Sequence, residues 1–559
     1  MSKDIFRNDI ARNIFYSKYA QGHNDTWENM ARRITTDVCG DMGKGLPPIM
    51  SSEDIERITQ YICEMKFIPG GRYLYYAGRP LHFWNNCFLL KAEEDTREEW
   101  ASLTYRAMSS LMSGGGIGID YSILRPSGRT LTRTGGLSSG PIPLMKAINE
   151  IGRNVMQGGS RRSAIYASLN WKHDDIEEFL HMKNWDDIHI AGALDKGGDP
   201  YTYSDAKQDD FNYPAPMDMT NISVNYDDEW LKSPLNDIFI ENCRQAMRTG
   251  EPGFSFNFGD KSNETLRNAC TEVTSEDDSD VCNLGSINLG NIESLEEFTN
   301  IVQLASKFLV CGAIRSDLPY KKVQKVREKN RRLGLGLMGI HEWLLKRGER
   351  YEVTKELHKW LGVYKRESKK EADKHCDRLY LSHPVAYRSI APTGSIGILA
   401  GTTTGIEPLY AVAYKRRYLI DRTKWKYEYV VDNTAQLLIE KYGLNPEDIE
   451  TSSTLSTDYE RRIKFQADIQ DYIDMSISST INLPPWGLED NNEGKVKQFS
   501  ECLAKYAPRL RGLTCYPDNS RGGQPLTSIP YNEAMKHKGV IFEENNICSI
   551  SGKGGGCGD

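Results

Sequence analysis

The chain has 559 residues, 39% of them hydrophobic and 26% charged, with a net charge of −7. This is a composition with enough apolar material for a sizeable core, without a membrane-spanning run of eighteen or so apolar residues or a Lys/Arg block that would make a nucleic-acid groove. The start, MSKDIFRNDIARNIF, lacks the apolar core of a signal peptide, and the twelve cysteines include no CxxC, so free thiols in a reducing cytoplasm are expected, with neither a disulfide framework nor a structural zinc site.

Taken in order, residues 1–80 read as a helical N-terminal region. Ile5, Ile10, Ile14 and Phe15 recur at helical spacing, and Ser52-Glu-Asp-Ile55 opens a further helix with acids in its first turn. Phe67-Ile-Pro-Gly-Gly-Arg72 marks a turn. From there to about residue 410, apolar strand-like runs alternate with helical stretches, the pattern of an α/β fold with buried strands. The first run, Asn86–Leu90, carries Cys87 at its head. Ser113–Asp120 follows as a glycine-rich loop entering a strand, where glycines permit positive φ and close approach of a backbone to a ligand; its spacing is not that of a dinucleotide or P-loop motif.

Two polar loops come next: 125–136, with Arg125 and Arg129, and 156–164, with Gln157, Gly158, Gly159, Arg161 and Arg162. Glycine mixed with arginine and hydroxyls suits a phosphate or a base edge, and suits a plain surface turn equally. Asp187-Ile-His189-Ile-Ala-Gly192 matches a pattern that ligates cobalt through histidine. It lacks the later Gly-Gly partner, so His189 is not assigned as a ligand.

Asn268-Ala-Cys270-Thr-Glu272 sets a thiol between an amide and a carboxylate at alternate positions. In an extended backbone these three would face one substrate as hydrogen-bonding amide, reactive sulfur and proton acceptor. Ten residues on, Cys282 heads the strand-like run VCNLGSINL. Arg331–Gly339 reads as a glycine-punctuated strand leading into a helix at His341. Thr393, Gly394 and Ser395 open another helix, whose exposed N–H groups and hydroxyls would either seat a phosphate or simply cap the helix. Residues 410–510 read as helical. The chain ends in a glycine-rich segment holding Cys548 and Cys557.

These motifs together resemble the catalytic subunit of a ribonucleotide reductase, most like the adenosylcobalamin-dependent (class II) branch. The match runs from about Gly70 onward: NCFLL (86–90), GGGIGID (114–120), QGGSRRSA (157–164), NACTE (268–272), VCNLGSINL (281–289), RRLGLGLMG (331–339), APTGSIG (391–397), GIEP (405–408), YPDNSRGGQPL (516–526) and the terminal cysteine pair, in the family's order. The resemblance implies a ten-stranded α/β barrel (81–525) around a central finger loop, behind the helical N-terminal region (1–80) and before a flexible redox-active tail (526–559). By the same resemblance Cys270 is the thiyl radical, Glu272 takes the 3′-hydroxyl proton and Asn268 holds the sugar hydroxyls. Cys87 and Cys282 are the reducing dithiol, which Cys548 and Cys557 re-reduce. Thr393, Gly394, Ser395 and Ile396 seat the substrate phosphate, and the loops at 125–136 and 157–164 bind a dNTP or ATP effector.

The implied partners are a ribonucleoside di- or triphosphate and thioredoxin or glutaredoxin; a homodimer is compatible with the resemblance, whereas nucleic acid, membrane and a protein-bound metal ion are not expected. Branches that import their radical from a metal-containing subunit use two adjacent tyrosines near the C-terminus; Cys515-Tyr516 stands there in this chain, which favours adenosylcobalamin. The alternatives are a reductase subunit served by such a metal protein and, more remotely, a nucleotide-binding regulatory protein without catalysis.

Overall fold

A computed structural model describes residues 5–40, 48–132, 135–155, 163–195, 197–210, 212–421, 424–520, 526–537 and 540–545. Ten strands form its principal sheet: β1 (Phe67–Pro69), β2 (Cys87–Lys91), β3 (Gly116–Asp120), β4 (Ile165–Asn170), β5 (Thr220–Tyr226), β6 (Gly253–Phe256), β7 (Asp280–Asn288), β8 (Leu333–Met338), β9 (Thr480–Leu483) and β10 (Gly512–Pro517). Strands β2 to β6 run parallel to one another in sequence order. They are short and almost wholly buried, as parallel strands under helices must be. β7 turns the direction by pairing antiparallel to β2, then parallel to β8; β10 pairs antiparallel to β6 and parallel to β9. Single parallel bridges, Leu335 to Arg388 and Ile390 to Ile477, carry the ring from β8 to the segment before β9. The sheet thus closes into the expected barrel.

Helices cover the outside. Among them are α1 (Trp27–Cys39), α2 (Leu295–Arg315), α3 (Lys355–Arg378) and the short α4 (Gly394–Ala400). Thr26, Ser294 and Thr354 start the first three, each accepting a backbone N–H from the helix's first turn. One apolar cluster joins α1, α2 and α3 to β8; a second packs β2 to β6 and β10 under the helices of the other half. A third, smaller cluster lies inside the ring and includes Cys87, Leu89, Leu266, Val273, Cys282 and Met475. The N-terminal region is mainly helical, but its Phe67–Pro69 pairs with Ile287–Gly285 as a strand of the barrel sheet.

The finger enters this interior as a narrow hairpin, Leu266–Arg267 paired with Thr274–Ser275. Arg267 is buried and donates to the carbonyls of Glu264, Leu266, Phe256 and Arg511 and to Asn257 Oδ1. A Cβ on Gly118 would overlap the Arg267 carbonyl oxygen, and one on Gly114 (φ +86°) the Arg72 guanidinium. Gly118 and Gly114 therefore admit the finger and an arginine, the protein's own parts, while Gly116 lines the cavity described below.

Two stretches depart from the sequence reading. Ala413–Asp421 and Lys424–Val431, within the stretch read as helical, form an antiparallel hairpin. In the second of them aromatic and charged residues alternate (Trp-Lys-Tyr-Glu-Tyr) with a period of two, which outweighs the helical reading. Leu526–Ser528 and Ile541–Asn545 flank that hairpin as outer strands, with a helix at Tyr531–Lys536 between them. The segment beginning at 526, expected to be a free tail, is thus folded through these residues. Residues 546–559 lie outside the description.

Candidate active site

The finger tip is a turn, not an extended strand. Thr271 donates its N–H to the Asn268 carbonyl at 2.9 Å, and Thr271 takes φ +68°. The alternation argument for Asn268, Cys270 and Glu272 therefore fails as geometry. The turn nevertheless brings all three to one cavity of about 350 Å³, whose walls also include Cys87 and the run Ala391–Ile396. Around the tip, Gly116 stands against both Ala164 and Ala269. Cys270 is exposed, whereas Cys87, Asn268 and Glu272 are buried.

Three of these groups are bonded to one another. Asn268 Nδ2 donates to the Cys87 sulfur at 2.9 Å, and the Cys87 thiol lies 3.5 Å from Glu272 Oε1. Asn268 Oδ1 accepts from Val273 N–H at 2.9 Å, locking the amide's orientation. Glu272 Oε2 is buried with no hydrogen-bond partner among the described residues. Burial raises the Glu272 carboxyl above its ordinary range, opposed by hydrogen bonds from Asn268 and Cys87. Burial likewise pushes the Cys87 thiol well up, with the Glu272 charge adding to the rise. Cys282 is raised by burial and then by Asp280. Both thiols are therefore held protonated.

Cys87 and Cys282 face each other as partners in the antiparallel pairing of β2 with β7. Cross-strand partners have Cα atoms about 4.5–5.5 Å apart, within the roughly 4.4–6.8 Å span that a disulfide bridges. Both are free thiols here. Asp280, two residues before Cys282 on β7, is held by Arg332 at 2.6 Å and by Asn330 at 2.8 Å.

Thr393 caps α4 in the left-handed region (φ +51°), and its hydroxyl accepts the Gly405 N–H at 2.8 Å. Gly394 faces open space, and Gly394, Ser395 and Ile396 line the cavity with Thr393. The first N–H groups of a helix have no partner within it, which suits an anion. Tyr19 and Arg72 also line the cavity, and sequence reasoning did not single them out as site residues. Tyr19 comes from the N-terminal region read as separate from the catalytic unit; no local motif marks it. Arg72 followed the predicted turn, but its guanidinium is spent on the carbonyls of Phe83, Ser113 and Gly114.

Other predicted residues fall elsewhere. Arg125 pairs with Asp95, and Arg129 with Asp174 at 3.2 Å, neither lining the cavity. Gln157, Gly158, Gly159, Arg161, Arg162, Cys548 and Cys557 lie outside the described residues. His189 sits exposed on a small hairpin, while Asp187 is engaged with Arg248 at 2.8 Å. On β10, Cys515 belongs to the apolar layer under the outer helices, with Leu513. It therefore points away from the interior.

A family described as "Ribonucleotide reductase, barrel domain" matches residues 85–196, 200–359 and 384–512. The chain is 25% identical over 544 residues to a vitamin B12-dependent ribonucleoside-diphosphate reductase of Mycobacterium tuberculosis, covering 85% of this chain and 73% of that protein. It is 26% identical over 529 residues to one of Thermoplasma acidophilum, covering 85% and 66%. The crystal structure of a B12-dependent (class II) ribonucleotide reductase superposes with a TM-score of 0.69 at 16% identity, covering 96% of this chain and 94% of the other. With the family matched over most of its length, and with the fold shared, the chain belongs to the ribonucleotide reductase family.

Proposed function

We propose that this chain converts ribonucleotides to 2′-deoxyribonucleotides through a thiyl radical on Cys270, with electrons from Cys87 and Cys282. One observation carries the reading: an exposed thiol, a buried carboxyl with an unpartnered oxygen and the Cys87 thiol meet at one cavity, with Cys282 as the cross-strand partner of Cys87. Loss of an unactivated sugar hydroxyl is beyond acid–base groups alone, and a radical on the adjoining carbon makes that hydroxyl a leaving group. Cys270 removes the 3′ hydrogen. Glu272 Oε2 accepts the 3′-hydroxyl proton, which its raised affinity for protons suits. Cys87 and Cys282 then give two electrons, with a proton to the departing 2′-hydroxyl, and become a disulfide. Asn268, already bonded to Cys87, orients that sulfur and, with a hydroxyl in reach, the sugar.

Adenosylcobalamin is the proposed radical source, as the names of the relatives suggest. The residues fit it: Cys270 is the exposed thiol of the set, and its surroundings, Gly116, Ala164 and Ala269, are small enough for a bulky group to approach. When bound, the cofactor supplies a one-electron oxidant to that thiol. A radical imported through Cys515-Tyr516 is disfavoured by the outward course of Cys515. Among the described residues no cluster could hold a metal ion, and no helix is long and apolar enough to cross a membrane.

The remaining parts of the reading are a di- or triphosphate on Thr393–Ile396, an effector nucleotide at the loops with Arg125, Arg129 and 157–162, and Cys548 with Cys557 passing electrons from thioredoxin or glutaredoxin in the cytoplasm. The test is an assay of the purified chain with ribonucleotide, dithiol and adenosylcobalamin. Deoxynucleotide from the chain alone is expected; activity appearing only with a second, metal-loaded protein would overturn the cofactor assignment.

A further inference from the structure

Cys282 stands between two unlike neighbours. On one side is Cys87, its antiparallel partner on β2. On the other is β8, where Asn283 pairs in parallel with Leu333, so one residue back along both strands brings Cys282 level with Arg332. Adjacent strands lie about 4.8 Å apart. Asp280 shares the Cys282 face of β7, two residues away. Its Oδ2 accepts Arg332 Nε at 2.6 Å, which puts the guanidinium on that face too.

The two charges of this ion pair are not equally engaged. Asp280 Oδ2 also accepts the Ser275 hydroxyl at 2.6 Å and Asn330 Nδ2 at 2.8 Å, and Oδ1 accepts the Val281 N–H at 2.8 Å. Arg332 is 4% exposed, yet its Nη1 has no hydrogen-bond partner among the described residues; Glu264 Oε1 is 3.8 Å from it. A buried guanidinium with an unused donor is a seat for negative charge. The two thiols also differ in access. Cys87 lines the cavity, whereas Cys282 is 0% exposed and, among the described residues, is not part of that wall.

On the reading that Cys87 and Cys282 are the reducing dithiol, we propose that their disulfide is re-reduced in one direction, by attack at Cys87 and departure of Cys282, with Arg332 as the positioning residue that steadies the departing charge. Access admits the incoming thiol to Cys87, and charge favours the same course. A thiolate leaving from Cys87 would form 3.5 Å from Glu272 Oε1, and the Glu272 charge adds to burial in raising that thiol. At Cys282 burial and then Asp280 raise the thiol, and Arg332 opposes them. The better leaving sulfur is the one whose anion is more stable.

The step balances. The thiolate of a small thiol attacks the Cys87 sulfur, the S–S bond to Cys282 breaks, and Cys282 leaves with the electron pair. A second thiol attacks the outer sulfur of the mixed disulfide and frees Cys87 as a thiolate. Each liberated sulfur takes a proton given up by one of the small thiols. These lose two electrons as their own disulfide, and the protein's disulfide gains them.

The test uses the full-length chain with Cys270→Ser, Cys548→Ser and Cys557→Ser, so that neither the finger thiol nor the terminal pair takes part. Diamide closes the pair, and 2-mercaptoethanol is then added briefly. The reaction is quenched with acid, denatured, alkylated with N-ethylmaleimide and read by peptide mass spectrometry. Mercaptoethanol on Cys87 with maleimide on Cys282 is expected. Mercaptoethanol on Cys282 in equal or greater share would overturn the proposal. Failure of diamide to link Cys87 to Cys282 would instead remove the dithiol reading, and the direction with it. Arg332→Gln should slow the reduction by about fivefold or more, while Arg332→Lys, which keeps the charge, should stay within about twofold of the parent. An unchanged rate in a folded Arg332→Gln chain would refute the role of Arg332. Should that variant not fold, Asp280→Asn with Arg332→Gln, which leaves no carboxylate buried alone, is compared with Asp280→Asn by the same measure.

Discussion

Asn268 Nδ2 donates to the Cys87 sulfur at 2.9 Å, which ties the finger tip to the strand bearing one of the facing thiols. The thiol in turn reaches Glu272 Oε1, so one sulfur is held by both neighbours of Cys270 in the NxCxE motif. Asn268, Cys87 and Glu272 are consequently one hydrogen-bonded unit, and its parts can be separated by substitution.

Cys270→Ser should abolish turnover while nucleotide binding changes little. The serine hydroxyl is isosteric enough to leave the turn intact, yet its O–H bond is too strong to give the radical. The comparison is single-turnover product formation beside equilibrium dialysis of nucleotide. Clear residual turnover would remove Cys270 from its role.

Cys87→Ala and Cys282→Ala should each leave Cys270 able to attack substrate but unable to complete reduction. Free base in place of deoxynucleotide is the expected product, seen by chromatography. Each loss should exceed about a thousandfold in kcat, as expected when members of a single unit are removed. Sustained turnover in either variant would break the pairing.

Gly118→Ala tests the seating of the finger. The added methyl group would overlap backbone at Arg267, and a strand with a fixed register has no flexible end to yield. Loss of activity with a stability cost of roughly 1–3 kcal/mol, the range for overpacking, is expected from kinetics and urea unfolding. Wild-type kinetics in this variant would mean that the finger does not lie on β3.

Glu264→Gln tests what holds the finger's base. Burial opposes the Glu264 charge, but Arg511 at 3.2 Å, Arg332 and Lys261, with the Thr274 hydroxyl at 2.7 Å, lower the carboxyl to about 2. A depressed carboxylate stabilises the fold above its unfolded value of 4.5 and loses that contribution as pH falls toward 2. The substitution should thus cost on the order of 3 kcal/mol at pH 7, with the difference from the parent shrinking below pH 4.5. Urea titrations at pH 7 and pH 3 give the two values. An equal cost at both pH values would contradict the ion-pair account.

Much of this was legible in the chain because short apolar runs headed by cysteine, and glycine-punctuated strands, announce buried parallel strands; β2, β7 and β8 begin within two residues of their sequence-read positions. The finger was legible as a reactive stretch but not as a turn. Alternation on paper is the same for a strand and for a tight loop, and only the Thr271 backbone separates them. The hairpin at 413–431 was missed because Tyr414 and Tyr418 stand four apart, a helical spacing, and only the second strand alternates. Tyr19 was illegible for a different reason: it reaches the cavity through tertiary packing alone, across more than two hundred residues of sequence from Cys270.

The wall of the ring beside the finger is made late in the chain. Ser476 donates its N–H to the Glu272 carbonyl at 2.9 Å, while its own carbonyl accepts from Ile390 at 3.2 Å. The stave that closes the circle is therefore also the stave that grips the tip. During synthesis, a ribosome that has finished Glu272 must add some two hundred residues before that grip exists. Until then Cys270 and Glu272 are present without the wall that Ser476 provides, so the finger tip takes its final place only when the last staves of the ring are made.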